Sequence, residues 1–431
     1  MAKLWKNWSG RVSCSPAQIA YPRDEAELAQ LVRTAAARGQ VVRPVGSGHS
    51  FSDLVTTTGV VVSLDKLAGL IEVDKVHNTA TAWAGTKLWQ FCDLLAPFNL
   101  AMENMGDIDK QSLGGALATG THGTGLGLGG LSTQISALSL MTASGEVIEC
   151  SEEHERDIFK AAQVSVGALG IVTQFTLRVV PTYRLAYTRA PGNFIDCISR
   201  AQKHAEENRH FEFWYFPYTD TVMMKFHIQT EARIEVGPVR KWIDEVLVEN
   251  YVFGVLAGMC RRKPSRCAAL SKFTARRLTS ASEVNTSHHA LVTRRILRFS
   301  EMEYAIPIER GPTAMRELKE WIVKENAPVF FPIEYRYVKA DDIWLSPFYQ
   351  RDSVTISVHY DARADHEAYF RGAEKIFRRH GGRPHWGKIH YLSAAELREL
   401  YPEWDSFRRV RKALDPRGVF LNPHLAHVLG G

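Results

Sequence analysis

A single histidine, His49, stands inside a glycine-bracketed turn that follows a valine-rich run in "VVRPVGSGHSFSDL", residues 41–54. Glycines leave backbone N–H groups open to a phosphate, and serine hydroxyls beside them add further donors. The turn supplies two of each, at Gly46, Ser47, Gly48 and Ser50. The spacing predicts an anion-binding turn, although taken alone His49 is equally well explained as an ordinary polar loop residue.

A second loop, "GGALATGTHGTG" (residues 114–125), offers the same chemistry among small residues. Its hydroxyl donors are Thr119, Thr121 and Thr124. Two such loops in one part of the chain favour a long dinucleotide ligand. Each loop by itself is equally well explained as an ordinary turn.

The stretch "GLGLGG", Gly125 to Gly130, fits the nicotinamide-dinucleotide pattern G-x-G-x-x-G letter for letter. That fingerprint works only where a strand precedes it and a helix opens after it, aiming N–H groups at the pyrophosphate. Here a glycine-rich loop precedes it and the strand-like "LSTQISALSL" follows. We therefore reject a nicotinamide site at this position.

Charged residues also stand where a buried strand is expected. In "IEYRYV", Glu334 and Arg336 are two positions apart, so both project from one face of a strand while Tyr335 and Tyr337 take the other. An exposed pair of this kind contributes little. The apolar "VFFP" just upstream indicates that the strand is buried, where charged groups need a functional or structural reason.

Two more residues are ambiguous when taken alone. His359 lies between Val358 and Tyr360 in "TISVHYD", which is typical of a hydrogen-bonded core histidine. Lys388 follows a tryptophan and a glycine in "RPHWGKIH", which is typical of a surface lysine.

Metal and disulfide chemistry find little support. The six cysteines are scattered and form no C-x-x-C pair, so we expect reduced thiols in a cytoplasmic protein. The histidine pairs, at 288–289 and at His385 with His390, lack a third ligand at a convincing spacing. The sequence therefore predicts no metal.

Composition narrows the class of protein. With 431 residues, 45% of them hydrophobic, the chain can bury a large core, and two domains are expected. The net charge of +6 is mild, and no basic tract is interleaved with aromatics, so we expect no nucleic-acid partner. We also expect no signal peptide and no membrane span, and "VFGVLAGMC" (252–260) is interpreted as a buried helix.

Helices and strands must position these residues, and their pattern differs between the first 180 residues and the rest of the chain. Asp24 and Gly39 punctuate a predicted helix in "RDEAELAQLVRTAAARG", and helices and strands then intermingle through the first 180 residues. Aromatic strands begin at "RHFEFWYFPYTDTVMMKFHIQT" (209–230), a helical stretch is expected over 238–300, and strands and helices follow. The pattern predicts an α+β protein.

Motifs spread over nearly the whole chain carry a family resemblance. They are R-P-x-G-x-G-H-S around His49, then "SLGGALATGTHGTG", "SVGALGIVTQFTLRVVP", "HFEFWYFP", "EYRYV", "PHWGK" and "DPRGVFLNPHL". In this order they resemble the aldonolactone oxidase and alditol oxidase branch of the vanillyl-alcohol oxidase flavoproteins. The resemblance implies a two-domain FAD-binding fold: residues 1–180, a cap on an antiparallel sheet over 181–388, and a C-terminal segment, 389–431, that returns to the FAD domain.

The same resemblance implies a covalently held cofactor. His49 would be joined to the 8α-methyl group of FAD, and no cysteine between Cys92 and Cys150 offers a second link. The other residues expected along the FAD are Gly46, Ser47, Gly48, Ser50, Ser112, Gly115, Thr119, Gly120, His122, Gly123 and Ile171.

Catalytic roles are implied as well. Glu334, Arg336, His359 and Lys388 would line a sugar site over the flavin, and Gly106 matches the position that leaves oxygen a path. A structural glycine turn is the alternative for Gly106. Asp107 stands where alditol oxidases have serine, which weakens a polyol-specific contact.

The expected reaction is oxidation of a sugar 1,4-lactone, with hydride passing to flavin N5 and oxygen returned as hydrogen peroxide. An alditol substrate is the alternative on the donor side, and a dehydrogenase with another electron acceptor is the alternative on the acceptor side. A nicotinamide dehydrogenase and an inactive sugar-binding protein also stay open until flavin absorbance is measured.

Overall fold

A computed structural model describes residues 4–237 and 250–430. The helix predicted from Asp24 runs over Glu25–Ala37, with the Asp24 carboxylate accepting from the backbone N–H of Glu27. Gly39 follows its end at φ +64°, a left-handed conformation that favours glycine. The local punctuation of this helix is confirmed.

The strands, numbered along the chain, are β1 (Trp5–Lys6), β2 (Ser13–Cys14), β3 (Gln18–Ala20), β4 (Val42–Val45), β5 (Val60–Ser63), β6 (Leu70–Asp74), β7 (Thr79–Trp83), β8 (Leu100–Ala101), β9 (Ile135–Met141), β10 (Val147–Ser151), β11 (Ile171–Arg178), β12 (Val180–Pro181), β13 (Arg184–Asn193), β14 (His210–Tyr215), β15 (Thr221–Thr230), β16 (Ala281–Thr286), β17 (Phe299–Pro307), β18 (Ile333–Val338), β19 (Ser353–Asp361) and β20 (Arg383–Pro384). The further helices are Leu88–Leu95, Leu113–Ala118, Arg156–Ala162, Phe194–Glu207, Phe253–Arg262, Cys267–Ala275, Ser287–Leu291, Gly311–Lys324, Glu367–Arg379, Ala394–Leu400, Trp404–Leu414 and Pro423–Leu429.

Two sheets organise the N-terminal part. Strands β3, β5 and β4 pair in parallel, and the valines of β5 are fully buried between their neighbours. A five-stranded antiparallel sheet has the order β10-β9-β11-β7-β6. The turn that carries His49 follows directly after β4, so a parallel strand end delivers it.

The second half is built on an eight-stranded antiparallel sheet of order β16-β13-β15-β14-β18-β19-β17-β20. Alternation divides its faces as the sequence predicted. Phe211, Phe213 and Tyr215 of β14 are fully buried on one side, where Phe213 stacks on Tyr335 of β18 at 4.7 Å. The opposite side of β14 and β18 carries the charged Glu212, Glu334 and Arg336 in cross-strand register.

The C-terminal residues pack back against the N-terminal part. The amide N–H of Val42 in β4 donates to Val419 O at 2.8 Å. The buried guanidinium of Arg43 donates to four backbone carbonyls, those of Leu54, Val166, Gly167 and Phe420. This single side chain ties the tail to the loops beside the His49 turn. The predicted boundaries near 180 and 388 stay a prediction.

Two local predictions need correction. The stretch 238–300 was expected to be helical, but β16 lies within it, because residues 281–286 add an edge strand beside β13; residues 238–249 lie outside the described residues. "VFGVLAGMC" does form a helix, yet it is not buried: Val255 is 65% exposed, because only one face of the helix packs inward. Among residues 4–237 and 250–430, no helix is both long and apolar enough to cross a membrane.

Candidate active site

The His49 turn and the second glycine loop interlock. A Cβ atom on Gly46 would lie 2.0 Å from Ser112 Oγ, so no larger residue fits there. Ser112 caps the helix Leu113–Ala118 by accepting from the N–H of Gly115 at 3.3 Å. Gly48 has φ +69°, the left-handed conformation that lets the turn reverse. Both loops therefore present backbone close to one shared space.

A cavity of about 950 Å³ occupies this shared space. Its lining includes the turn from Gly46 to Ser50, and across from it Ser112, Gly115, Thr119 and Ile171. The hydroxyl of Ser47 is buried and has no hydrogen-bond partner among the described residues. Small residues, backbone N–H groups and an unpartnered hydroxyl suit a pyrophosphate, so this cradle fits the FAD predicted from the sequence.

Two glycines of the second loop, Gly120 and Gly123, shape the loop without lining the 950 Å³ cavity. Gly120 has φ +74°, which allows the chain to turn after the helix. A Cβ atom on Gly123 would lie 2.2 Å from Met105 O. These positions shape the loop through close backbone approach and lie outside the lining of the 950 Å³ cavity.

The ring of His49 is partly buried and stacks on Trp8, with centroids 5.4 Å apart and planes at 27°. Burial, with smaller contributions from the positive charges of Lys388 and Lys87, lowers the pKa of His49 to about 4. The imidazole is therefore neutral at neutral pH and keeps a lone pair on one ring nitrogen. A neutral ring is the form that can attack an electrophilic carbon.

A second cavity, of about 560 Å³, connects the histidine to the cap sheet. Its wall contains His49 and Gly106 from the N-terminal part, and Arg336 and Lys388 from the cap. The structure thus brings together residues that stand more than 330 positions apart in the sequence. His122 completes the wall between them.

Arg336 is held by three carboxylates. Its Nε donates to Glu212 Oε2 at 3.0 Å, its Nη2 lies 3.6 Å from Asp107 Oδ1, and Nη2 also contacts Glu334 closely. Glu212 is itself fixed, because its other oxygen accepts from Lys225 at 2.9 Å and from Trp214 at 3.1 Å. The predicted Glu334–Arg336 pair is real, and it belongs to a larger charge network.

Glu334 differs from the other carboxylates of this network. Burial is the largest influence and raises its pKa well above the ordinary value, with Glu212 and Asp107 adding repulsion that Arg336 does not offset. For Asp107 the balance is reversed: burial is opposed by Arg336 and Arg295, which lower its pKa to about 2. Glu334 is therefore the carboxyl group of this set best suited to hold or exchange a proton near neutral pH.

Lys388 forms a second charged unit with Glu301. Burial would lower the pKa of Lys388, but the charges of Glu301 and Glu303 outweigh burial and raise it. The other oxygen of Glu301 lies 3.6 Å from His359 Nε2, and His359 Nδ1 is 3.2 Å from Pro332 O. Lys388 is thus a fixed cation at the cavity, whereas His359 lies one layer behind, outside the lining of that cavity.

A third unit joins His122 to the same sheet. His122 Nδ1 is 2.7 Å from Gly123 O and its Nε2 is 2.6 Å from Glu303 Oε1, while Ser357 donates to the other oxygen of Glu303. Burial alone would raise the pKa of Glu303, but His122 outweighs it and holds the pKa well below the ordinary value. A carbonyl and a carboxylate therefore fix both ring nitrogens of His122.

His385 lies close to this pair. Potential metal-binding atoms of His122, Glu303 and His385 come within 4.8 Å of one another in the described part of the chain. His122 is hydrogen bonded to Glu303, and His385 Nδ1 accepts from the N–H of Gly387 at 3.0 Å. The sequence missed this cluster because it is drawn from three separate elements, and the predicted absence of a metal stays a prediction.

Gly106 and Asp107 connect the two halves of the site. Gly106 lines the 560 Å³ cavity and a neighbouring cavity of about 970 Å³ that also reaches Arg336. A Cβ atom on Gly106 would lie 3.0 Å from His122 O, a tight contact, although its φ does not require glycine. The carboxylate of Asp107 bonds Arg295 at 3.1 Å and so links this loop to the cap.

Sequence reasoning missed four polar residues that contact the predicted site residues or one another. They are Glu212, Glu301, Glu303 and Ser357. The register places them as cross-strand neighbours on one face of the sheet: Glu212 opposite Arg336, Ser357 opposite both Glu334 and Glu303, and Glu301 opposite His359. A signal was present in "FSEMEYAIP" and "HFEFWY", where acidic residues alternate with large apolar ones.

Comparison with known proteins decides the family. Residues 175–428, more than half of the chain, match the family described as D-arabinono-1,4-lactone oxidase. The chain belongs to this family. Residues 16–151 match an FAD-binding domain. The predicted aldonolactone oxidase branch, the FAD cofactor and the class of FAD-dependent oxidoreductase are confirmed.

Relatives of full length support the assignment. The chain is 40% identical to an L-gulono-1,4-lactone dehydrogenase of Mycobacterium tuberculosis, with 100% of each chain covered. It is 33% identical to an L-gulonolactone oxidase of Scyliorhinus torazame, over 99% of this chain and 98% of that one. Cholesterol oxidase from Brevibacterium sterolicum, at 18% identity, superimposes with a TM-score of 0.86 over 99% of this chain and 96% of that one. The predicted α+β two-domain fold with its antiparallel cap is confirmed.

Proposed function

We propose that this protein oxidises an aldono-1,4-lactone at the carbinol carbon next to the lactone carbonyl, with FAD joined covalently to His49 and oxygen as electron acceptor. The observation that carries the proposal is the cavity that places His49 opposite Arg336 and Lys388. The names of the relatives support a lactone of the gulono or arabinono type as substrate. FAD, when bound, supplies the acceptor for the hydride.

The two cavity-lining cations stabilise negative charge on the substrate. As the C–H bond next to the carbonyl breaks, the carbinol oxygen must lose its proton, and charge develops on it. Arg336 and Lys388 are fixed by Glu212 and Glu301, so they need no reorganisation to meet that charge. Such preorganised donors contribute about 3–4 kcal/mol each in a site that excludes water.

Glu334, like His359, lies outside the cavity lining, and it adjoins the lining through its close contact with Arg336. We assign Glu334 to the hydroxyl proton. Its raised pKa leaves the deprotonated carboxylate basic enough to accept a proton, and Arg336 stabilises that carboxylate at close contact. His359 contacts Glu301, and Glu301 holds Lys388 at the cavity. We assign His359 to positioning Lys388.

The neutral state of the His49 ring supports the proposed covalent bond. Its pKa near 4 supplies the neutral imidazole that attack on the 8α carbon requires. Stacking on Trp8 fixes the orientation of the ring. The cationic Lys388 shares the cavity wall with His49 and would stabilise negative charge that develops in the ring system during attachment.

Two electron acceptors remain to be distinguished. Gly106 stands between two cavities and carries no side chain, which supports access of oxygen. A relative at 40% identity is named a dehydrogenase, which supports a different acceptor. We favour oxygen, because any side chain at Gly106 would narrow the passage at His122 O.

Anaerobic mixing with aldonolactones and alditols tests the substrate, and readmitting air tests the acceptor. We expect 1,4-lactones to bleach the flavin absorbance, followed by recovery in air with one hydrogen peroxide formed per flavin. Bleaching by alditols alone would contradict the lactone assignment. Bleaching by lactones without recovery in air would leave the lactone assignment intact and refute oxygen.

A further inference from the structure

Two cysteines that stand seven positions apart meet in the cap. Cys260 lies in the last turn of the helix Phe253–Arg262, and Cys267 begins the helix Cys267–Ala275. The intervening turn, Pro264–Arg266, reverses the chain, so both side chains enter one buried apolar cluster. Their thiols lie close enough for each to shift the pKa of the other.

The pair is buried, but only by one thin layer. Residues 262–266, which join the two helices, are all exposed, while Cys260 and Cys267 directly beneath them are 5% and 2% exposed. A solute of the size of water therefore reaches the thiols when this turn opens, with the sheet left intact.

The two thiols are unequal. The hydrogen bond from Cys260 lowers the pKa of Cys267 in spite of burial, and raises the pKa of Cys260. Cys267 is also the first residue of a nine-residue helix, where the backbone dipole favours a thiolate. Basic residues surround the turn, at Arg261, Arg262, Lys263 and Arg266.

Other buried cysteines lack these features. Burial raises the pKa of Cys92, Cys150 and Cys197 to about 12, which leaves them protonated. Cys197 is a suitable reference, because it is as buried as Cys267, at 2% exposed.

We propose that Cys260 and Cys267 form a modification site for hydroperoxides, which convert the two thiols into an intramolecular disulfide. The Cys267 thiolate attacks the O–O bond; one oxygen stays on sulfur as a sulfenic acid and the other leaves as water or an alcohol. The Cys260 sulfur then attacks the sulfenic sulfur, the S–S bond forms, and the hydroxyl departs as water with the Cys260 proton. Two thiols and one hydrogen peroxide thus give one disulfide and two waters.

The position of the pair gives the modification a route to the active site. The same apolar cluster contains Phe51 and Phe299, and Trp8 packs edge-on against both rings. Trp8 in turn stacks on His49. A cross-link between the two cap helices therefore stiffens the apolar support of the flavin anchor.

Treatment of the purified, flavin-containing full chain with hydrogen peroxide tests the site, with alkylation of free thiols and peptide mass spectrometry as the readout. We expect the Cys260 and Cys267 peptides to be joined, with loss of two hydrogens and no added oxygen. The reaction is expected to be about tenfold faster than oxidation of Cys197, because the thiolate is the nucleophile, and dithiothreitol is expected to reverse it. Since peroxide is added, the result does not depend on the electron acceptor of the enzyme.

Serine variants separate the two roles. In Cys260→Ser the reaction should stop at a sulfenic acid on Cys267 that dimedone traps, and in Cys267→Ser the remaining thiol should react as slowly as Cys197. Cys197→Ser is the control and should form the disulfide like the parent. Oxygen adducts on both cysteines at the rate of Cys197, or a disulfide that forms only in urea, would overturn the proposal. The parent protein alone decides this outcome if a serine variant fails to fold.

Discussion

The turn around His49 and the polar face of the cap sheet are built from different kinds of groups. The turn uses glycines, one hydroxyl that has no partner within residues 4–237 and 250–430, and a histidine that burial keeps neutral. The cap face uses fixed ionic groups, with Arg336 and Lys388 each held by dedicated carboxylates. In the proposed function, the backbone of the turn binds the cofactor, whereas preorganised charges on the cap face bind the substrate.

The two regions also differ in what a substitution removes. A substitution at His49 removes the stacking contact with Trp8 and the proposed bond to FAD, and it leaves no buried charge behind. On the cap face it leaves buried charges behind, because every cation there neutralises a carboxylate. Function and stability should therefore be separable in the first region and linked in the second.

The largest effect is expected at the turn. His49→Ala should abolish covalent attachment of flavin completely, because the attacking nitrogen is lost, while the cradle at Gly46 and Ser112 still binds FAD. Acid precipitation followed by absorbance of the pellet and the supernatant measures the attachment. His77→Ala, which removes an exposed histidine, should keep yellow pellets. Free FAD in the supernatant of the parent protein would show that no bond forms.

On the cap face, Arg336→Lys and Lys388→Ala should each slow reduction of the flavin by substrate about 10²–10³-fold, the usual loss for one transition-state donor. Arg336→Ala would also leave the buried Glu334 without its cation, and would remove one of the two cations that neutralise Glu212 and Asp107. We expect a cost of about 3–5 kcal/mol of stability. Arg336→Lys keeps the charge and loses only the bidentate geometry, so it isolates the catalytic role. Anaerobic stopped-flow absorbance gives the rate, and thermal melting gives the stability.

Arg351→Lys is the matched control for Arg336→Lys. Arg351 is a half-buried arginine that donates to the carbonyls of Gly381 and Ala305, away from both cavities. The Arg351→Lys variant should have a lower melting temperature, and the rate at which substrate reduces its flavin should not change. A normal reduction rate in Arg336→Lys would limit this arginine to a structural role.

A smaller effect is expected where the two regions meet. Gly106→Ala should slow reoxidation by oxygen about tenfold, equivalent to about 1.4 kcal/mol in the barrier, while reduction by substrate changes little. Its Cβ would lie 3.0 Å from His122 O, so some loss of stability is also expected. Gly382→Ala, with a Cβ 2.8 Å from Phe377 O and outside the cavity linings, controls for packing alone. Equal oxygen rates in the parent and Gly106→Ala would show that this glycine serves only the loop.

The contrast between the regions explains what the sequence could predict. The His49 turn is local, so its glycines and its histidine are visible as one motif. The Glu334–Arg336 pair follows from the two-residue period of a strand. The sequence did not predict the roles of three carboxylates, Glu212, Glu301 and Glu303. Their neighbours are set by the strand order β14-β18-β19-β17, which does not follow the order of the strands in the sequence. The contact of His359 with Glu301, and through Glu301 with Lys388, could not be predicted for the same reason.

The last effect, which is absent at neutral pH, concerns acid stability, and it sharpens the difference between buried and exposed histidines. Burial lowers the pKa of His390 to about 3, and neither ring nitrogen has a hydrogen-bond partner among the described residues. In the unfolded chain this histidine binds a proton with an ordinary pKa near 6.5. Above pH 6.5 it is neutral in both states and has no effect. As the pH falls from 6.5 towards 3, only the unfolded chain takes up the proton, so the free energy of unfolding decreases. The loss is about 1.4 kcal/mol per pH unit for one such group.

His77 has the opposite effect on stability, because its hydrogen bond to Asp74 raises its pKa and adds stability at low pH. We expect His390→Phe to flatten the fall in unfolding free energy between pH 6.5 and 4, as measured by urea titration, and His77→Asn to steepen it slightly. An unchanged slope in His390→Phe would mean that this histidine is already protonated in the folded protein.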